Sequence, residues 1–143
     1  MKIVVDHVMG SRRGQRQEFQ AEQRLTIGRH PKCDVSFDAH RDLDASSRHA
    51  ELRAGEGGYV LHDVGSSNGT FVGGERVSEI PLGPGQSVVV EFGSGGPQLR
   101  IWVGEDDMAP DPIRLGRPFP WRWLVLAVLL GVAAGLVILR LSR

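Results

Sequence analysis

The chain has 143 residues, enough for one domain of ordinary size and an appendage. Its 17 basic and 17 acidic residues cancel, which excludes bulk charge as a route to nucleic acid, because no basic excess exists to neutralise a polyphosphate backbone. Abundant glycine (19 residues) and only 6% aromatics favour a turn-rich β domain, and the single cysteine, Cys33, excludes an internal disulfide and a cysteine-based zinc site.

Met1 to Gly10 reads as a first strand around Ile3-Val4-Val5; Asp6 and His7 interrupt it too early for the apolar stretch of a secretory signal. Short apolar or alternating runs follow at Gln17 to Ala21, Leu25 to Ile27, Asp34 to Phe37, His49 to Arg53, Tyr59 to His62, Thr70 to Val72, Val88 to Phe92 and Leu99 to Val103. Short strands at regular spacing, with Gly, Pro, Asp and Ser between them, predict a sandwich or barrel. Gly73-Gly74 predicts a two-residue hairpin turn, since both central positions of a type I′ turn need positive φ. Pro81 with Leu82-Gly83-Pro84-Gly85 predicts a further turn. No stretch before Trp121 has a sustained helical period, so residues 1–103 are expected to form one all-β domain.

Residues 104–120 hold Glu105, Asp106, Asp107 and Asp111, with prolines at 110, 112, 118 and 120. That composition predicts a linker too polar and proline-rich to pack, reaching roughly 50 Å at about 3.1 Å per residue. Trp123 to Leu139 is then unbroken apolar sequence. At about 1.5 Å rise per residue it spans about 26 Å, a little short of a hydrocarbon core of about 30 Å. Leu141 extends it if Arg140 snorkels, and Trp121 and Trp123 stand where interfacial aromatics belong. A single transmembrane helix at 121–141, a tail anchor, is the expectation. Arg114, Arg117 and Arg122 on one flank outnumber Arg140 and Arg143 on the other, which places the domain on the cytoplasmic side. The lone cysteine agrees with a reducing compartment. Gly131 and Gly135, four apart with Ala127, Ala133 and Ala134 nearby, would let two such helices approach closely, a candidate homodimer face.

Three turn-type segments carry the chemistry: Gly28-Arg29, Ser46-Ser47-Arg48-His49 and Ser66-Ser67-Asn68-Gly69-Thr70. Brought to one end of a sandwich, they supply a planar, permanently charged guanidinium, several hydroxyl donors and an amide that both donates and accepts. A phosphorylated side chain, with close to two negative charges and three acceptor oxygens, needs such a set. Little in it would react with the phosphate.

The run Ile27-Gly28-Arg29, then Cys33-Asp34-Val35, then Ser46 to Ala50, then Asp63 to Val72 resembles the forkhead-associated (FHA) domain in order and spacing. The resemblance covers roughly Lys2 to Val103. It implies a β-sandwich of about eleven strands that binds phosphothreonine peptides through loops at one end. By position it implies that Arg29 and Ser46 contact the phosphate, that Ser67 lines the phosphothreonine pocket and that Asn68 bonds the peptide main chain. Ser47 stands where the family more often has Arg, Lys or Asn, so a longer contact is missing, and Arg48 is the candidate to compensate. Gly28, His49, Gly69 and Thr70 match residues that shape the loops. The loop from Asp38 to Ala45, with His40 and Arg41, is a candidate reader of residues beyond the phosphothreonine. The implied partners are a phosphothreonine protein and the Ser/Thr kinase that marks it, recruited at a membrane.

Two other functions compete. Ser46, His49 and Asp63 offer a nucleophile, a base and an acid for a hydrolase, but no Gly-x-Ser-x-Gly elbow or separate oxyanion loop accompanies them. No catalytic residue, metal site or cofactor is therefore expected. The third reading is a phosphate-independent scaffold that oligomerises at the membrane, favoured by the short side chain of Ser47.

Overall fold

The computed structural model describes residues 1–20 and 24–116. The expected membrane segment, its paired glycines and the arginines at 117, 122, 140 and 143 lie outside the described residues, as do residues 21–23. Among the described residues, no helix is long and apolar enough to cross a membrane.

Eleven strands form two sheets. They are β1 (Lys2–Met9), β2 (Arg16–Gln20), β3 (Leu25–Gly28), β4 (Val35–Ser36), β5 (Ala50–Gly55), β6 (Gly58–Asp63), β7 (Thr70–Val72), β8 (Glu75–Val77), β9 (Glu79–Leu82), β10 (Gln86–Phe92) and β11 (Gln98–Gly104). One sheet runs β2-β1-β11-β10-β7-β8 and the other β4-β3-β5-β6-β9. All pairs are antiparallel except β3 with β4, which places Gly28 opposite Ser36. The core between the sheets takes alternate residues of each strand, among them Ile3, Val5, Leu25, Ile27, Leu61, Val90, Phe92, Leu99 and Ile101.

The Gly73-Gly74 turn joins β7 to β8 with φ of 59° and 83°, the left-handed geometry that hairpin requires. Pro81 is not part of a turn: it lies inside β9, opposite Val60. β9 pairs only with β6 and is an edge strand, so the missing N–H interrupts no ladder. The turn itself is at Gly83 to Gly85, where Gln86 N donates to the Gly83 carbonyl.

The expectation that the segment after β11 would not pack meets a different arrangement. Val4 and Trp102 are cross-strand partners that stand outside the core cluster, yet they are 0% and 3% exposed. Asp6, Arg16 and Arg100 share that outer face as one rung, with Asp6 paired to Arg16 on β2 and to Arg100 on β11. Arg16 reaches the Asp6 carboxylate at 2.6 and 3.0 Å, and Arg100 reaches it at 3.1 and 2.7 Å. The same two guanidiniums then donate to the carbonyls of Pro110 (2.9 Å) and Asp111 (2.7 Å). A short 3-10 helix at Asp106–Met108 turns the chain, and the Leu115 side chain closes over Gly14. The sequence is polar, but its backbone carbonyls, rather than its side chains, meet the arginines.

Burial pushes the Asp6 carboxyl up, but the hydrogen bonds and charges of Arg16 and Arg100 overcome it and hold the group below its ordinary 3.8. Its stabilising effect is therefore complete above pH 3.8 and is lost only as pH falls below that value. Asp6→Asn leaves two arginines without their counter-charge and should cost roughly 3 kcal/mol in urea unfolding. The same variant should release residues 105–116, read as faster proteolytic cleavage there under native conditions.

Candidate functional site

The site begins where β3 ends. A Cβ on Gly28 would sit 2.2 Å from the Ser47 carbonyl oxygen, so only glycine lets the segment 46–48 lie against this strand. That closeness lets Arg29 N donate to the Ser46 carbonyl and His30 N to the Ser47 carbonyl, both at 3.0 Å. The Arg29 side chain, half-buried, is fixed by the same loop: Nε donates to the Ala45 carbonyl (2.5 Å) and Nη1 to the Ala39 carbonyl (2.9 Å). A guanidinium has five N–H donors in a rigid plane. Two are used here to orient it, and three remain.

His49 joins this loop to the next. It is fully buried, and its Nδ1 faces the backbone N–H of Ser46 at 3.0 Å. An N–H can only donate, so Nδ1 accepts and the ring proton is on Nε2. Nε2 then donates to the Gly69 carbonyl (3.0 Å) and to the Thr70 hydroxyl (3.1 Å). The Thr70 hydroxyl passes its own proton on to Asp63 Oδ2 at 2.7 Å. Asp63 also accepts from Gly65 N, Ser66 N and the Ser66 hydroxyl, which folds the 64–69 loop into its shape. Gly69, at φ 86°, completes that loop, and its carbonyl also takes Gly93 N at 2.8 Å.

Two further bonds cross between the loops. Ser67 N donates to the Ser46 hydroxyl at 3.0 Å, and Asn68 Nδ2 donates to the Asp44 carbonyl at 3.0 Å. The structure thus brings together Arg29, Ser46, Ser67 and Asn68 from three loops. The Arg29 guanidinium rests on the residue before Ser46, and Ser46 holds Ser67. Ser46 is half-buried, while Ser67 and Asn68 are exposed, so the groups grade from a fixed base to an open rim. Chemically the cluster offers a charged fork and hydroxyl donors to an anion. Beside them, the amide oxygen and second N–H of Asn68 can pair with an extended backbone.

Ser47 and Arg48 are placed differently. The Ser47 side chain is exposed, and its carbonyl is what holds His30. Arg48 lines a separate depression with Arg24, His30, Lys32 and Cys33. Burial pushes the half-buried Cys33 thiol up from its ordinary 9.0, so it stays protonated.

The hydrolase arrangement does not form. The His49 nitrogens hold the Ser46 backbone and Gly69, and the Ser46 hydroxyl is taken by Ser67 N. Asp63 stands 4.0 Å from His49 Nε2, with the Thr70 hydroxyl bonded to both. Ser46 therefore does not meet His49 as nucleophile to base.

Sequence reasoning missed the acceptors that orient Arg29, because they are main-chain carbonyls of two alanines. It also missed Asp42, which is 7% exposed and accepts from Asp38 N (3.0 Å), Ser11 N (3.0 Å) and the Ser11 hydroxyl (2.6 Å). Asp42 ties the 37–45 loop to the β1–β2 turn. Asp38, four residues earlier, caps His40 N and Arg41 N, and this spacing of short acids was the available signal.

Fold and loop cluster together define a β-sandwich that binds through its loops. The family model of the FHA domain matches residues 25–93, and the chain carries an FHA domain, a binding module and not an enzyme. The glycogen accumulation regulator GarA of Mycolicibacterium smegmatis is 42% identical over 65 residues, 46% of this chain and 39% of that protein. The oxoglutarate dehydrogenase inhibitor of Corynebacterium glutamicum is 50% identical over 50 residues, 35% of this chain and 33% of its own length. The chain thus covers less than half of these curated relatives. Among solved structures, the FHA-1 domain of Mycobacterium tuberculosis Rv1747 superposes with a TM-score of 0.59 at 27% identity, over 73% of this chain and 97% of that one. An engineered FHA domain with a Myc-pTBD peptide superposes with a TM-score of 0.56 at 26% identity, over 74% and 93%.

Burial lowers the His49 pKa from its ordinary 6.5, against the smaller upward pull of the Gly69 carbonyl and Asp63. His7 is buried and shifted the same way. Each group stabilises the fold fully above pH 6.5, and that contribution is lost as pH falls below it, because the unfolded chain takes up the proton first. Urea midpoints should therefore drop between pH 7.5 and 5.5, by up to about 1.4 kcal/mol per group per pH unit, and His49→Gln should flatten the dependence. Gly28→Ala should separate the first two loops, seen as a lower melting temperature.

Proposed function

We propose that this domain reads phosphothreonine in a partner protein and, through the apolar segment that follows it, does so at the cytoplasmic face of a membrane. The observation that carries the reading is the Arg29 guanidinium, aimed by two backbone carbonyls and seated beside the Ser46–Ser67 pair. A preset cation with donors to spare loses little freedom when an anion arrives. Phosphate would take the remaining Arg29 N–H groups with the hydroxyls of Ser46 and Ser67, while Asn68 holds the partner backbone. Ser47 and Arg48 flank this cradle. Relatives named for oxoglutarate dehydrogenase inhibition and for regulation of glycogen accumulation support a regulatory role exerted by binding. The membrane part of the reading is supported by the uninterrupted apolar run from Trp123 to Leu139 and by the arginines around it.

A charge-assisted hydrogen bond contributes about 1.5–3 kcal/mol. Titration of phosphothreonine peptides should show Arg29→Ala binding roughly ten- to a hundredfold or more weakly than wild type. Arg29→Lys keeps the charge without the planar fork and should recover only part of the loss. Capture of the partner should disappear after phosphatase treatment; capture that survives it would establish the phosphate-independent scaffold instead.

In fractionated cells the full chain should pellet with membranes, and a chain ended at Gly116 should not. Recovery of both in the soluble fraction would remove the membrane part and leave the phosphothreonine part standing.

A further inference from the structure

The residues after β11 reverse the course of the chain. They leave the sheet at Gly104, and Glu105 stands 3.7 Å from the Met1 amino group, at the start of β1. Farther on, the Pro110 and Asp111 carbonyls meet Arg16 and Arg100 on the Asp6 rung, and Leu115 lies over Gly14 in the β1–β2 turn. The binding loops are at that same end: Asp42 of the 37–45 loop accepts from Ser11, and Gly93 N, just past β10, donates to the Gly69 carbonyl. The chain therefore leaves the sandwich beside its binding end. Only residues 116–120 stand between Leu115 and the segment expected to span a membrane.

Charge divides along the same axis. Arg12, Arg13, Arg41 and Arg114 belong to the exit end, and among the described residues none of them has a carboxylate within 4.0 Å. Of the acids beside them, Asp42 is buried under Ser11 and Asp38 caps His40 N and Arg41 N, which leaves Asp44 exposed. The opposite end carries Glu56, Glu105, Asp106 and Asp107. Cations toward that end are paired, the Met1 amino group with Glu105, Lys2 with Glu18, and Arg24 and Arg53 with Glu51. The exit end also exposes apolar side chains: Met9 (47%), Leu43 (63%) and Leu115 (43%). Free arginines with apolar neighbours suit a lipid interface, where the guanidiniums stay among headgroups and the apolar groups enter the acyl boundary. A wholly polar ligand would leave the apolar groups in water.

We propose that this face docks on anionic phospholipid headgroups, so that the sandwich stands with its binding end toward the bilayer. The proposal rests on the membrane reading above and adds the orientation to it. A negatively charged leaflet attracts the arginines and repels the acidic far end, so charge and tether act in one direction. The 37–45 loop joins the lipid face to the phosphate cradle, bonded to Ser11 through Asp42 and to Arg29 and Asn68 through the carbonyls of Ala39, Ala45 and Asp44. The cradle then meets phosphothreonines carried close to the lipid.

The test labels the full chain with a fluorescent donor at one end or the other, by Ser94→Cys in the β10–β11 turn or Glu56→Cys in the β5–β6 turn, each with Cys33→Ser. The chains are reconstituted into phosphatidylcholine vesicles containing an acceptor lipid, with or without phosphatidylserine. Strands of up to eight residues set the two ends about 25 Å apart at about 3.3 Å per residue, so with phosphatidylserine the Ser94 label should transfer at least about twice as efficiently as the Glu56 label. That contrast should shrink without phosphatidylserine, at high salt, and when Arg12→Gln, Arg13→Gln and Arg114→Gln are combined. Equal transfer from the two labels overturns the orientation, while flotation of the chain with the vesicles keeps the membrane reading. A contrast indifferent to phosphatidylserine and to the arginines belongs to the tether alone and overturns the headgroup contact. Failure to float with any vesicle overturns both. If the triple variant weakens phosphothreonine-peptide binding without vesicles and leaves transfer unchanged, the face serves the peptide and the proposal is overturned.

Discussion

A buried histidine sets the geometry of the binding end. His49 must keep Nδ1 unprotonated to accept from Ser46 and must keep the proton on Nε2 to reach Gly69 and Thr70. One tautomer of one ring thus fixes two loops at once. A charged ring would turn the Nδ1 contact into two donors facing each other, at a residue closed off from bulk solvent. Thr70 and Asp63 extend the same constraint into the 64–69 loop, so that loop is shaped by the network beneath it. The position of Ser67 over Ser46, and of Asn68 over Asp44, follows from that network.

Arg29 shows how a flexible side chain becomes a rigid receptor. Its Nε and one Nη1 proton are committed to the Ala45 and Ala39 carbonyls, both from the 37–45 loop. That loop is in turn fastened to the first turn of the chain through Asp42 and Ser11. The direction in which the cation points therefore depends on residues far from it in sequence. Lysine has no planar fork to hold two carbonyls and still present donors outward, which is why the residue type matters here as much as its charge.

Much of the sandwich was legible because strands buried on one face alternate, and because glycine pairs such as Gly73-Gly74 allow only a few turns. β8 and β9 were not read from the sequence. β8 has three residues without alternation, and β9 contains a proline whose edge position sequence does not reveal. Of the binding loops, the residue types were legible and the partners were not. Arg29 was singled out as a cation on a turn, but nothing local says that alanine carbonyls will aim it. Arg48 lies two positions from Ser46 yet lines the neighbouring depression. The residues after β11 misled for a physical reason: composition measures side chains, and this stretch docks through its main chain.

Were the apolar segment anchored in a bilayer, as proposed, that docking would change how far the domain could wander from it. Of residues 105–120, those up to Leu115 follow the outer face of β2, β1 and β11. Five residues, 116–120, about 16 Å at about 3.1 Å per residue of extended chain, then separate Leu115 from the segment expected to span a membrane, where a free linker would have allowed roughly 50 Å. Under the proposed membrane reading, a leash that short would hold the domain close to the lipid. Partners already resident at the surface would meet it at high local concentration, and those arriving from bulk solution would gain no such advantage.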